Sequence, residues 1–164
     1  MALGSIVSAD YKIALFLHVL AVVLAFGPSA AYSLMYSVIP QHPRSAPAIL
    51  SAMERIDRYL INPGMIVVLL AGIYLLVASD DVWGGGDAFI VVGFLAIIAL
   101  FGLQHAYFAP KTREAKQLAE RDLKAGDTLS AEFETLGRQV GRVGGLVGAI
   151  IVVTIFFMTY KPFM

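Results

Sequence analysis

Residues 88–109 read AFIVVGFLAIIALFGLQHAYFA, an apolar run without a carboxylate, a lysine or an arginine. As a helix rising about 1.5 Å per residue, it is long enough to cross hydrocarbon about 30 Å thick. Three more segments meet the same test, at about 11–38, 60–78 and 143–160. The spacing predicts an all-α, polytopic membrane protein: a four-transmembrane-helix bundle forming one integral membrane domain over residues 1–164. Composition agrees. The chain is 59% hydrophobic and 15% charged, whereas soluble domains hold about 45–50% apolar and about 25% charged residues. A soluble enzyme and a disordered chain are excluded. Zero net charge excludes a nucleic-acid binder that relies on bulk attraction to phosphate. Zero cysteines exclude disulfides, thiolate metal sites and iron–sulfur clusters.

Charge placement orients the bundle. Arg44, Arg55 and Arg58 lie in loop 39–59, and seven more basic residues, from Lys111 to Arg142, lie in 110–142. Loop 79–87 holds Asp80, Asp81 and Asp87 and no basic residue. Ten of the twelve basic residues therefore share one side. The positive-inside rule makes that side cytoplasmic and puts both termini outside a bacterial cytoplasmic (inner) membrane. Residues 28–31, PSAA, have the look of a signal-peptide end. The first ten residues, however, carry Asp10 and no basic residue, so the first helix is predicted to be retained.

Each segment carries local signals. Pro28 should bend the first helix, with Ser29 and Ser33 at hand for the freed carbonyl. His18, Ser29 and Tyr36 fall within about 20° of one another on a helical wheel, with Ser33 about 60° away, a polar stripe expected to face the bundle interior. Asn62-Pro63-Gly64 reads as the start of the second span, Asn62 as N-cap. Before it, 47–61 forms an amphipathic helix. Ile49, Leu50, Met53, Ile56 and Leu60 take one face, and Glu54, Arg55, Asp57 and Arg58 the other. It either lies in the interface or extends span two. Loop 79–87 reads as a solvated glycine-rich turn with Trp83 at the headgroups.

In 110–142, Leu129, Phe133, Leu136, Val140 and Val143 recur at alternating spacings of 4 and 3. That stripe predicts a cytoplasmic helical hairpin made by spans three and four continuing past the membrane. Gly137, Gly141, Gly144, Gly145 and Gly148 form a small-residue series suited to close helix packing. Packing against another span of the same chain is the first reading, a homodimer seam the second.

Chemistry has few places to reside. His42 sits in a polar turn, whereas His18 and His105 lie within spans, where ionisable residues are usually functional. Both are candidate cofactor-binding residues, with haem as the candidate cofactor. Chain direction puts His18 roughly 10 Å and His105 roughly 25 Å below the outer surface, too far apart to ligate one iron unless the spans are staggered. Gln104, His105 and Tyr107 would mark the mouth of an inner-half cavity. No phosphate loop, metalloprotease helix or Ser–His–Asp order is present. With no Asp or Glu within a span, proton-coupled transport is disfavoured. The six methionines are scattered and form no copper ladder, and no metal site is expected.

Phe16-Leu17-His18-Val19-Leu20, followed by Phe26-Gly27, resembles the opening helix of several bacterial four-helix membrane families. These are uncharacterised predicted integral membrane proteins of about this length and, more distantly, CopD-like copper-resistance and HemJ-like proteins. In them a helix-one histidine precedes an aromatic–glycine pair, and His18 is the matching residue. Ala25 stands where a tryptophan is common. The resemblance implies the four-helix plan, and haem or copper handling on His18 alone.

Three functions follow: a non-enzymatic membrane protein handling or sensing a small solute through a histidine-containing interior; a haem-binding redox protein using His18; and a scaffold binding a partner through 110–142. The orientation is directly testable, because no native cysteine interferes. A thiol reagent that cannot cross the membrane should label Asp87→Cys from outside and leave Glu120→Cys untouched; the reverse pattern would invert the topology.

Overall fold

The computed structural model describes residues 8–80 and 82–161. The apolar runs become four helices: α1, Ala9–Val38; α2, Pro43–Val77; α3, Ala88–Ala125; and α4, Ala131–Tyr160. Each is long and apolar enough to cross a membrane, and no strand occurs among the described residues. The ends follow capping chemistry. Ser8 accepts from the Tyr11 N–H at 3.2 Å and Ser130 from the Phe133 N–H at 3.3 Å, each satisfying a first-turn donor. Pro43 opens α2, where a missing N–H costs nothing.

The helices run further than the apolar runs that define them. α2 continues through 47–61 into the second span, so that segment is an extension of the span. Asn62 has φ −61° and ψ −52°. It is therefore a helical residue and not the expected N-cap, which needs a non-helical backbone. α1 passes through Pro28 unbroken, and the Ser29 hydroxyl donates to the Phe26 carbonyl.

α1 packs chiefly on α2 and α3 on α4; α2 and α3 touch sparingly over 62–77 and 88–103 but pack closely where 46–56 meets 109–125. Two apolar cores result. One lies among the spans and contains Ala21, Ala25, Ile61, Met65, Val68 and Ile97. The two alanines allow α1 and α2 to approach closely: a Cβ placed on Gly64 would lie 2.9 Å from the Ala25 Cβ. The other core is built where α3 and α4 extend into a helical hairpin. There Ala115, Leu118 and Ala119 of α3 meet Phe133, Leu136 and Val140 of α4, with Ala46, Leu50 and Met53 of α2 between them. The 129–140 stripe is thus largely covered by its own chain. Arg44 pairs with Asp127 at 2.8 Å and Lys116 with Glu54 at 3.3 Å. Such exposed or half-exposed pairs contribute about 0–1 kcal/mol, so apolar burial dominates this end.

The glycine series needs a correction. A Cβ on Gly137 would sit 3.9 Å from the Tyr36 ring, but Gly141, Gly144, Gly145 and Gly148 have nothing within 4 Å. Packing against another span of the same chain is found at Gly137 alone. The close crossing lies instead at Gly64, inside the Asn-Pro-Gly triplet. Gly64→Ala drives its methyl into α1 and should cost about 1–3 kcal/mol, read as a lower unfolding midpoint in detergent; an unchanged midpoint would mean that α1 and α2 are further apart.

Candidate functional site

Asp57 leaves the polar face assigned to it and is buried, with 8% of its surface exposed. Arg55 and Arg58, on the same stretch, do point outward. The position of Asp57 is readable from spacing. At 100° per residue it falls about 20° from Leu50 and about 40° from Met53, two residues of the hairpin core. Grouping residues by charge hides what grouping them by angle reveals.

Two prolines shape this level of the bundle. α2 widens into a π turn at Asp57–Ile61 and α3 into another at Gln104–Phe108. Each π turn ends two residues before a proline, Pro63 in α2 and Pro110 in α3. A proline ring crowds the carbonyl four residues back and supplies no N–H. The widened turn takes up the distortion: the Asn62 N–H donates to the Asp57 carbonyl, and the Ala109 N–H to the Gln104 carbonyl. Asp57 and Gln104 are thus equivalent first residues of two π turns, six positions before a proline. π turns inside α-helices are frequent at functional sites.

The two residues meet around a common centre. Tyr32 of α1 brings its Oη to 2.6 Å from Asp57 Oδ1 and 3.1 Å from the Met53 carbonyl. Gln104 stands beside the same carboxyl from α3, and Tyr36, one turn beyond Tyr32, faces it from α1. Tyr32 packs against both apolar cores, which places the centre at the junction of the spans with the hairpin. No ion pair reaches Asp57 among the described residues. Tyr36 Oη, Gln104 Nε2 and Asn62 Oδ1 are buried without a hydrogen-bond partner among the described residues. Buried polar atoms are normally paired, and unpaired ones often mark a place for a ligand or ion.

The histidines are not brought together. His18 is half-buried, its Nδ1 3.0 Å from the Val68 carbonyl. A Cβ on Gly72 would lie 3.3 Å from His18 Cε1, so the ring lies flush against α2. With Nδ1–H donating to Val68, Nε2 is the nitrogen left as an acceptor. His105 lies on the exposed outer face of α3, stacked on Phe101 at 4.4 Å, with Nδ1 3.0 Å from the Phe101 carbonyl of its own helix. The expected interior position of His105 is therefore corrected: its ring turns back along α3. A haem held by both histidines does not fit this arrangement. Of the predicted α1 stripe, His18, Ser29 and Tyr36 are half-buried and Ser33 is exposed. The missing member is Tyr32, about 40° from Tyr36 on the same wheel.

At the opposite end of the spans, Lys161 Nζ sits 3.7 Å above the Trp83 ring. Trp83 in turn meets Phe89 edge-on at 5.5 Å. Burial there lowers the pKa of the Lys161 ammonium from its ordinary value. This contact ties loop 79–87 to the end of α4; Asp81 of that loop lies outside the described residues.

A family model described as "Predicted integral membrane protein (DUF2269)" matches residues 12–162. No curated protein and no solved structure matches the chain. The resemblance to CopD-like and HemJ-like proteins thus rests on the residues around His18 alone.

Proposed function

The chain belongs to the DUF2269 family of predicted integral membrane proteins, and from that premise we propose that it is a non-enzymatic membrane protein that handles a small cation at the Asp57 centre. The observation that carries this reading is a carboxyl 8% exposed at the edge of a membrane span with no basic partner among the described residues. An unpaired buried carboxylate is costly, and ionisable groups in such positions usually serve ion or substrate handling. The oxygens of Tyr32 and Tyr36 and the side-chain carbonyl of Gln104 offer hard neutral ligands of the kind a small cation takes beside one carboxylate. The centre replaces the two histidines as the place where solute is held. His18 belongs to the α1–α2 contact. In this reading the hairpin lies in the bacterial cytoplasm and both termini lie outside, so the site opens towards the cytoplasmic end of the spans.

The test is ligand-dependent stability of detergent-solubilised protein in sodium, potassium, ammonium or tetramethylammonium chloride. The reference is a bulky-cation salt at equal ionic strength. A bound cation at about ten times its Kd adds roughly 1.4 kcal/mol, so at least one salt should raise the unfolding midpoint. Asp57→Asn should abolish that rise. A midpoint indifferent to all four salts, or an equal rise in Asp57→Asn, would remove the reading.

A second reading concerns partners. Gly141, Gly144, Gly145 and Gly148 leave an open strip on α4. Small residues four apart let two membrane helices approach closely. A second copy of α4 is the proposed occupant, making the protein a homodimer. Gly145→Leu should convert a dimer to a monomer by light scattering in mild detergent; wild-type protein that is already monomeric there and in lipid nanodiscs would end the proposal.

A further inference from the structure

The chain holds one tryptophan, Trp83, and its neighbours fix it in place. Its backbone N–H donates to Ser79 Oγ at 3.3 Å. Ser79, with none of its surface exposed, donates in turn to the Leu76 carbonyl at 2.7 Å. Phe89, buried in the first turn of α3, meets the indole at 5.5 Å with the ring planes at 89°. Two perpendicular aromatic faces thus make a corner, and Lys161, just past α4, fills it. Its Nζ lies 3.7 Å from the Trp83 centroid and 5.1 Å from the Phe89 centroid, both within the roughly 6 Å over which a ring face attracts a cation. Putting the lysine there takes a backbone turn that few side chains adopt. Lys161 has φ 47° and ψ 58°, the left-handed position after a helix that usually goes to glycine. No carboxylate pairs with Lys161 among the described residues, so the rings are the partners of its ammonium. Loop 79–87 brings three aspartates and no basic residue to the same end, a charge that draws cations towards the corner.

We propose that Trp83 and Phe89 form a binding site for a methylated ammonium group, and that Lys161 occupies it as a tethered internal ligand. The site lies at the opposite end of the spans from Asp57 and does not depend on that centre. Ligand chemistry follows from the walls. A small hard cation asks for oxygen ligands, and neither ring supplies one. A primary ammonium carries three N–H donors that prefer water or oxygen acceptors, so Lys161 holds the corner at a disadvantage. A quaternary ammonium has no donor to leave unsatisfied and presents its charge to the rings through methyl groups, the form of cation that aromatic corners recognise. When such a group enters, Lys161 returns its ammonium to water, and the end of α4 is released from loop 79–87. Ligand and tether therefore exclude each other. A free solute such as choline and the headgroup of a choline lipid carry the same chemistry.

Because Trp83 is the single tryptophan, indole fluorescence of the full chain reports on this corner. The experiment titrates the protein, in a maltoside detergent free of ammonium groups, with tetramethylammonium chloride against sodium chloride at equal ionic strength. The expected result is a saturable change with tetramethylammonium and none with sodium. A cation–ring contact corresponds to a factor of about 2–30 in an equilibrium constant. Lys161→Ala should therefore bind tetramethylammonium more tightly by about that factor, whereas Lys161→Arg, which keeps a cation on the rings, should not. Should Lys161→Ala fail to fold, Lys161→Gln, which drops the charge and keeps most of the stem, takes its place. Absence of a saturable change from both wild type and the uncharged variant would overturn the proposal, as would equal affinity in the two. Loss of the change in folded Asp57→Asn would also overturn it, by assigning the signal to the other end. Nanodiscs separate the two sources of ligand. Weaker tetramethylammonium binding by Lys161→Ala in phosphatidylcholine than in phosphatidylglycerol supports a lipid headgroup in the corner, and equal binding supports a free solute.

Discussion

Asp57 stands where two apolar cores meet, and a carboxyl group there must be hydrogen-bonded or neutralised because burial leaves little of it open to solvent. That requirement accounts for the side chains around it. Tyr32 reaches across from α1, Gln104 approaches from α3, and Tyr32 also touches both cores. A leucine at position 57 would join the cores into one continuous apolar seam. The cost of a polar centre in that position, set against the usual worth of burial, argues for a use beyond packing.

The backbone at this level is arranged by proline. Pro63 and Pro110 each force a π turn in a helix that otherwise runs unbroken from span to hairpin. A π turn changes the direction of the side chains on either side of it. Here the first residue of each widened turn, Asp57 or Gln104, ends at the same centre. Away from this level the bundle is ordinary. Alanines and Gly64 permit a close α1–α2 contact, and the hairpin buries its own stripe. Exposed Leu, Val and Phe side chains cover the outer faces of the spans, as lipid contact requires.

Much of this was legible in the residues. The four spans, the continuation of α3 and α4 into a hairpin and its apolar stripe all follow from hydropathy and a period near 3.6, both local properties. The extension of α2 and the close crossing at Gly64 were not legible, because a proline and glycine triplet is read as a boundary unless its neighbours in space are known. Asp57 was legible in part. Its angle beside Leu50 and Met53 announces burial, whereas its place among Glu54, Arg55 and Arg58 suggests solvent. Its partner Tyr32, 25 positions away, depends on the crossing of two helices, which no local pattern encodes. His105 shows the converse: an ionisable residue in a span invites an interior role, and its own helix carbonyl takes up the ring.

The central claim is that Tyr32 and Asp57 act on each other across the α1–α2 boundary. A double-mutant cycle tests it most directly, comparing Tyr32→Phe, Asp57→Ala and the double variant by reversible unfolding in mixed micelles. Residues in one buried network couple by about 0.5–3 kcal/mol, so the double variant should lose markedly less stability than the two single losses combined. Losses that add to within about 0.3–0.5 kcal/mol would mean that the two groups are independent, and would contradict the account.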